Sequence, residues 1–136
     1  MGCMYSHNQL NKCTYQNTPI FSFENIKTKA KVIKVYDGDT IWVAFKYRGK
    51  FIRIKIRLNG IDTPEIRSSN KKEKQKGIEA RDFLKQIIDN RIITLHCGKF
   101  DKYGRLLGII YHNNVNINNK MITAKHAVAY DGGTKK

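Results

Sequence analysis

A small closed β-barrel flanked by helices is the fold this sequence predicts: an α+β chain of five strands and two helices. Three observations carry it. Short apolar–polar alternations recur along the chain, a helical stripe interrupts them after the third, and 136 residues with a hydrophobic fraction of 40% supply apolar material for one core and not for two.

The elements follow in order. Ala30–Tyr36 reads as the first strand. Ile41–Tyr47 alternates cleanly, with Ile41, Val43, Phe45 and Tyr47 facing one way. Arg48-Gly49-Lys50 is a turn, and Phe51–Leu58 alternates again. Ile52, Ile54, Ile56 and Leu58 share one face of that strand; Phe51, Arg53, Lys55 and Arg57 share the other. Asn70–Lys76 reads as a lysine-rich surface loop. A helix over Gly77–Asn90 places Ala80, Phe83, Leu84, Ile87 and Ile88 on one core-facing stripe. Ile92–Cys97 and Arg105–His112 are the fourth and fifth strands, with a break at Asn113-Asn114. Ile117–Ala127 is a second, shorter helix. Three strands, helix, two strands, helix is the order of a five-stranded OB-type barrel. Residues 1–27 are rich in Asn, Gln, Thr and Ser without a period. They read as an N-terminal tail, ordered at most near Phe21–Ile26, before a domain over 28–132 and a C-terminal tail over 133–136.

The 26 Lys+Arg exceed the 11 Asp+Glu by enough to give a net charge of +15. Such a charge favours polyanions, either nucleic acid or an anionic membrane face. No run of 18 apolar residues is present to span a membrane, and the N-terminus has no apolar h-region of a signal peptide. Cysteines at 3, 13 and 97 are odd in number and widely spaced, which excludes a disulfide framework and fits a reducing compartment. With histidines at 7, 96, 112 and 126 they make no zinc spacing. An intracellular, monomeric protein is the expectation.

Acids are scarce, so their placement is informative. Asp37, Asp39, Asp62 and Glu65 sit in two short segments, VIKVYDGDT and IRLNGIDTPE, each following an apolar strand. Two strand ends delivering carboxylates to one barrel mouth would make a hard-oxygen site for Ca2+ or Mg2+. DGDT taken alone is equally a plain turn. It is no EF-hand loop, because Ile41 and Trp42 stand where that loop needs a ligand and a glycine. A haloacid dehalogenase-type phosphatase would need a longer chain and a parallel sheet. Arg57 lies on the polar face of its strand, and Arg105 opens the fifth strand after Asp101-Lys102-Tyr103-Gly104. A planar guanidinium can hold a phosphate through two parallel hydrogen bonds, and two beside a metal would stabilise a five-coordinate phosphorus.

DGDT at Asp37–Thr40, RLNGIDTPE at Arg57–Glu65 and DKYGR at Asp101–Arg105, in this order, make residues 30–130 resemble the staphylococcal nuclease (thermonuclease) family. The resemblance implies an OB-type barrel that cleaves DNA and RNA with one Ca2+ ion, Mg2+ and Mn2+ being the alternatives. It implies Asp39 and Asp62 as carboxylate ligands, with the Thr63 carbonyl as a third. It implies that Glu65 deprotonates the attacking water, that Arg57 and Arg105 clamp the scissile phosphate, and that Lys102 and Tyr103 touch the adjoining terminal phosphate. Asp37 would shape the turn, and Tyr130 would stack on a base. Breaking the P–O5′ bond would leave 3′-phosphate and 5′-hydroxyl ends. Single strands are the favoured partner, with Lys46, Lys50, Lys71, Lys72, Lys74 and Lys76 lining the approach. The chain stops at AYDGGTKK, short of the third helix of secreted bacterial members, and it lacks their export signal.

The competing class is a non-catalytic OB-fold nucleic-acid-binding module. Such a module has no reason to keep both metal carboxylates, Glu65 and both arginines together. A separate feature is the start, Met1-Gly2-Cys3-Met4-Tyr5-Ser6, which matches M-G-x-x-x-[ST]. In a eukaryotic cell, Gly2 would take myristate and Cys3 palmitate, attaching the protein peripherally to the cytoplasmic face of a membrane.

Overall fold

The computed structural model describes residues 6–131. Gly2 and Cys3, the proposed lipid acceptors, lie outside the described residues, as does the 133–136 tail.

Five strands close into a barrel: β1 (Lys27–Asp37), β2 (Thr40–Tyr47), β3 (Lys50–Leu58), β5 (Ile92–Phe100) and β6 (Leu106–His112). The ladder runs β3-β2-β1-β5-β6 through antiparallel pairs. A short parallel pairing of β3 with β6, Ile56–Leu58 against Leu106–Gly108, closes the ring. Between β2 and β3, Arg48 and Gly49 both take positive φ, of 51° and 80°. That suits a two-residue turn whose twist matches its strands. The same geometry at Asn113 and Asn114 joins β6 to the two-residue β7 (Val115–Asn116). A second ladder pairs β4 (Ile61–Asp62) with β8 (Val128–Ala129).

The alternation read from sequence holds: Ile41, Val43, Phe45, Ile56 and Leu58 are all buried. Ala80, Leu84 and Ile88 cover them from α2 (Lys71–Ile88). That helix corrects the expected surface loop at Asn70–Lys76. The Asn70 side chain caps the helix by accepting from the Lys72 and Glu73 amides, so it begins six residues before Gly77. The lysines that suggested a loop form its solvated first turns. The last helix, α3 (Ile117–Thr123), is shorter than expected and turns out through Lys125 at positive φ. A third helix, α1 (His7–Asn11), stands in the stretch read as an unstructured tail. Ser6 and Gln9 close its capping box. Phe23, from the same stretch, is buried in edge-on contact with Phe45 and Tyr47.

One buried polar side chain ties the barrel seam to the loop that leads into the site. Asn118 accepts from the Ile110 amide at 3.1 Å and donates to the carbonyls of Asn59 and Gly108 at 2.9 and 3.0 Å. Replacing it with alanine strands the buried Ile110 amide and takes one donor from each of two carbonyls, of which Gly108 keeps the Asn59 amide at 2.8 Å. A stranded buried group costs about 1–3 kcal/mol, so Asn118→Ala is expected to lower the melting temperature by on the order of 5 °C or more. An unchanged melting curve would show that water replaces all three bonds.

Candidate active site

The tight turn Gly38–Asp39 and the β3–β4 corner deliver their carboxylates to one place. The β1–β2 register slips between Val35 and Asp37, just before the turn. Bulges of this kind re-aim the side chains beyond them. Asp39 Oδ2 accepts from the Thr63 amide at 3.2 Å and the Thr63 hydroxyl at 3.0 Å, and Oδ1 from the Thr40 hydroxyl at 3.1 Å. Arg57 Nη2 lies 3.4 Å from Asp39 Oδ2 and 3.3 Å from Asp62 Oδ1. Its Nη1 donates to the carbonyls of Leu58 and Ile61, both at 2.9 Å. One guanidinium therefore bridges two buried carboxylates and the chain segment between them.

Two glycines allow α2 to approach this close. A Cβ on Gly38 would lie 2.8 Å from the Ala80 Cβ and 2.9 Å from the Thr63 Cγ2. A Cβ on Gly77 would lie 2.7 Å from the Pro64 carbonyl oxygen and 3.0 Å from the Ile66 nitrogen, the backbone on either side of Glu65. The helix is thus keyed to both site segments. Glu73, in its first turn, accepts from the Glu65 amide at 3.2 Å. In an exposed helix Gly→Ala stabilises by about 1 kcal/mol. Here the new methyl meets backbone, where overpacking costs about 1–3 kcal/mol, so the clash wins. Gly77→Ala is expected to displace Glu65 and to reduce any activity that depends on it by at least about tenfold. Wild-type rates in that variant would show that the Glu65 segment tolerates the shift.

The second arginine is held by its own loop. Asp101 Oδ1 accepts from the amides of Tyr103 and Arg105, both at 2.9 Å, and Oδ2 pairs with Arg105 Nε at 2.8 Å. Sequence reading treated Asp101 as part of a motif and assigned it no task. Its local acceptor geometry is the signature of an Asx turn, and DKYG with Gly104 at φ 79° carries that signal.

An open cavity of about 550 Å³ joins the two arginine centres. Asp37, Asp39, Asp62 and Glu65 line it together with Arg57, Arg105, Lys102, Tyr103 and Tyr130. Thr63 is not in its wall; the Thr63 hydroxyl donates to Asp39. The approach lysines are not in its wall. Lys46 and Lys50 sit at the far end of the β2–β3 ladder from Arg57, roughly 20 Å along the strands. Lys71, Lys72, Lys74 and Lys76 ride on α2.

The electrostatics of the cavity suit a hard cation. Burial first, and the neighbouring Asp39 charge and hydrogen bond second, push Asp37 up to about 7. Asp39 and Asp62 supply hard oxygen donors of the kind Ca2+ takes. Among the described residues no three His, Cys, Asp or Glu side chains form a cage by themselves. The two described cysteines are not in the cavity wall: Cys13 is exposed, and burial pushes the Cys97 thiol up to about 11.

Comparison with known proteins agrees with this geometry. The profile of the family described as staphylococcal nuclease homologue matches residues 55–136. A thermonuclease of Staphylococcus hyicus is 38% identical over 101 residues, covering 73% of this chain and 56% of the relative. An uncharacterized endonuclease of Escherichia coli O157:H7 is 32% identical over 102 residues, 74% of this chain and 60% of the relative. An uncharacterized protein of Methanocaldococcus jannaschii is 31% identical over 141 aligned positions, 86% of this chain and 66% of the relative. The chain spans about half to two-thirds of the length of these relatives. No described helix is long and apolar enough to cross a membrane. The match over more than half of the chain, on a five-stranded barrel carrying these carboxylates and arginines, places it plainly: the chain belongs to the staphylococcal nuclease homologue family.

Proposed function

We propose that this protein is a Ca2+-dependent endonuclease that hydrolyses phosphodiester bonds of DNA or RNA and leaves 3′-phosphate and 5′-hydroxyl ends. The observation that carries the reading is the convergence of Asp37, Asp39, Asp62 and Glu65 with two anchored arginines on one open cavity of a strongly basic chain. A bound Ca2+ would supply Lewis-acid charge neutralisation for an anionic phosphodiester.

The chain's own residues do the rest. Asp39, Asp62 and the Thr63 carbonyl would hold the ion. Arg57 has its plane fixed by two carbonyls and two carboxylates, so with both terminal nitrogens engaged it would bring a fixed positive charge and its Nε–H to the phosphate. Asp101 holds Arg105 Nε, leaving its terminal amino groups to grip the phosphate from the other side. Lys102 and Tyr103, beside Arg105, would meet the adjoining phosphate. Glu65 is exposed on the segment between β4 and α2 and lines the cavity, where a carboxylate can accept a proton from water positioned for in-line attack. The proton leaves water for Glu65, the new P–O bond forms, the P–O5′ bond breaks, and the leaving 5′-oxygen takes a proton from solvent water to become the 5′-hydroxyl.

A test of the end chemistry is cleavage of a 5′-labelled single strand, followed by enzymatic extension of the fragments. The expected fragments resist extension until a phosphatase removes a 3′-phosphate. Fragments that extend directly would contradict the proposed bond cleavage. Asp39→Asn is expected to abolish Ca2+ stimulation without unfolding the barrel, read by circular dichroism. Undiminished stimulation would remove Asp39 from the metal site.

A further inference from the structure

A second groove opens beside the cavity, on the outward face of β2 and β3. Its volume is about 570 Å³, and it shares Tyr103 and Arg105 with the cavity wall. Trp42, Arg53 and Lys55 form its floor, and no carboxylate lines it. The strand register explains the grouping. Trp42 is directly opposite Lys55, and Arg53 is its diagonal neighbour, so all three project from one face.

The side chains interleave aromatics with cations. Arg53 lies 5.5 Å and Lys55 5.8 Å from the centre of the Trp42 ring, and Lys55 is 4.7 Å from the Tyr36 ring. Toward the far end of the same face Phe51 is 80% exposed, with Lys46 at 5.8 Å from its ring. At the near end Tyr103 is 72% exposed, between Lys102 and Arg105 at 5.3 Å each. Large aromatic rings kept at a barrel surface by flanking cations bury little apolar area for the core. They offer stacking planes alternating with positive charge. That alternation matches a single-stranded nucleic acid, whose bases stack on rings while its phosphates pair with Arg and Lys. Strands 2 and 3 of a five-stranded OB barrel are also a face suited to oligonucleotides.

We propose that this groove is a strand-binding track: single-stranded DNA or RNA leaves the catalytic cavity past Tyr103 and Arg105 and lies along β2 and β3. Bases there stack on Trp42, and phosphates pair with Arg53 and Lys55. The track would bind flanking nucleotides and so favour long single strands over short fragments. The catalytic cavity as the strand's origin rests on the nuclease reading; the groove's chemistry does not.

Trp42 is the sole tryptophan of the chain, so its fluorescence reports on this groove alone. The experiment titrates the full chain, in chelator to prevent cutting, with a thymidylate dodecamer, a thymidylate dinucleotide and phosphatidylserine vesicles. Expected is a saturable change in Trp42 emission with the dodecamer, and none with the dinucleotide or the vesicles. Arg53→Ala/Lys55→Ala keeps the tryptophan and alters one exposed and one half-buried position. It is expected to weaken dodecamer binding about tenfold. The slope of log affinity against log salt should fall by about 1.4, at about 0.7 per lost phosphate contact. A dodecamer that leaves Trp42 emission unchanged, or binds the double variant as tightly as wild type, overturns the track. So does a response to vesicles without one to the dodecamer, which would make the face a membrane surface. Cleavage with Ca2+ is scored separately. Cutting without a Trp42 response sinks the track and spares the nuclease; a Trp42 response without cutting does the reverse.

Discussion

Glu65→Gln is expected to lower kcat on single-stranded DNA by about 100- to 10,000-fold, the usual cost of removing a general base. Gln keeps the size and shape of Glu but cannot accept the proton. Glu65 is exposed, and its backbone is held by the Glu73 carboxylate at the amide and by the Ser68 amide at the carbonyl. Because Gln keeps the volume of the side chain, the loss is expected in kcat, not in affinity. Single-turnover rates of wild type and variant, at matched binding, check this. A variant within a few-fold of wild type would assign the proton to another group.

The second large effect concerns Arg57, because it has two tasks at once. It neutralises Asp39 and Asp62, and all three side chains are about nine-tenths buried. It also laces β3 to β4 through two carbonyls. Arg57→Ala leaves two buried carboxylates without their counter-ion, which typically costs about 3–5 kcal/mol. That is on the order of a 10–20 °C fall in melting temperature for a domain of this size. Arg57→Lys restores charge but not the fork: an ammonium cannot serve two carbonyls and two carboxylates while also facing a phosphate. The lysine variant is expected to recover part of the stability and little of the activity. If lysine restores full turnover, Arg57 acts through charge alone and the planar clamp is wrong.

Much of this was legible in the sequence, for identifiable reasons. Period-two alternation over Ile41–Tyr47 and Phe51–Leu58 reports burial directly, because one face of each strand is core. The carboxylate segments were visible because acids are rare in a chain of +15 charge. What escaped was long-range. Nothing local shows that Gly77 must lack a side chain because the backbone of Pro64 crosses it, or that Asn118 reaches back to Asn59. The start of α2 is hidden in the sequence because lysine density over Asn70–Lys76 resembles a loop, although Asn70 caps the helix there. Arg53 and Lys55 read as part of one face of their strand, but only the register sets them against the Trp42 ring.

The most direct measurement is the rate of single-stranded DNA cleavage by the full chain, first with Ca2+ and then with a calcium chelator. The expected result is rapid cutting that stops when the chelator is added and resumes when Ca2+ is restored in excess. Cutting at full rate in chelator would contradict the role given to Asp39 and Asp62. Strand binding with no cutting under either condition would contradict the enzyme and leave a nucleic-acid-binding barrel in its place.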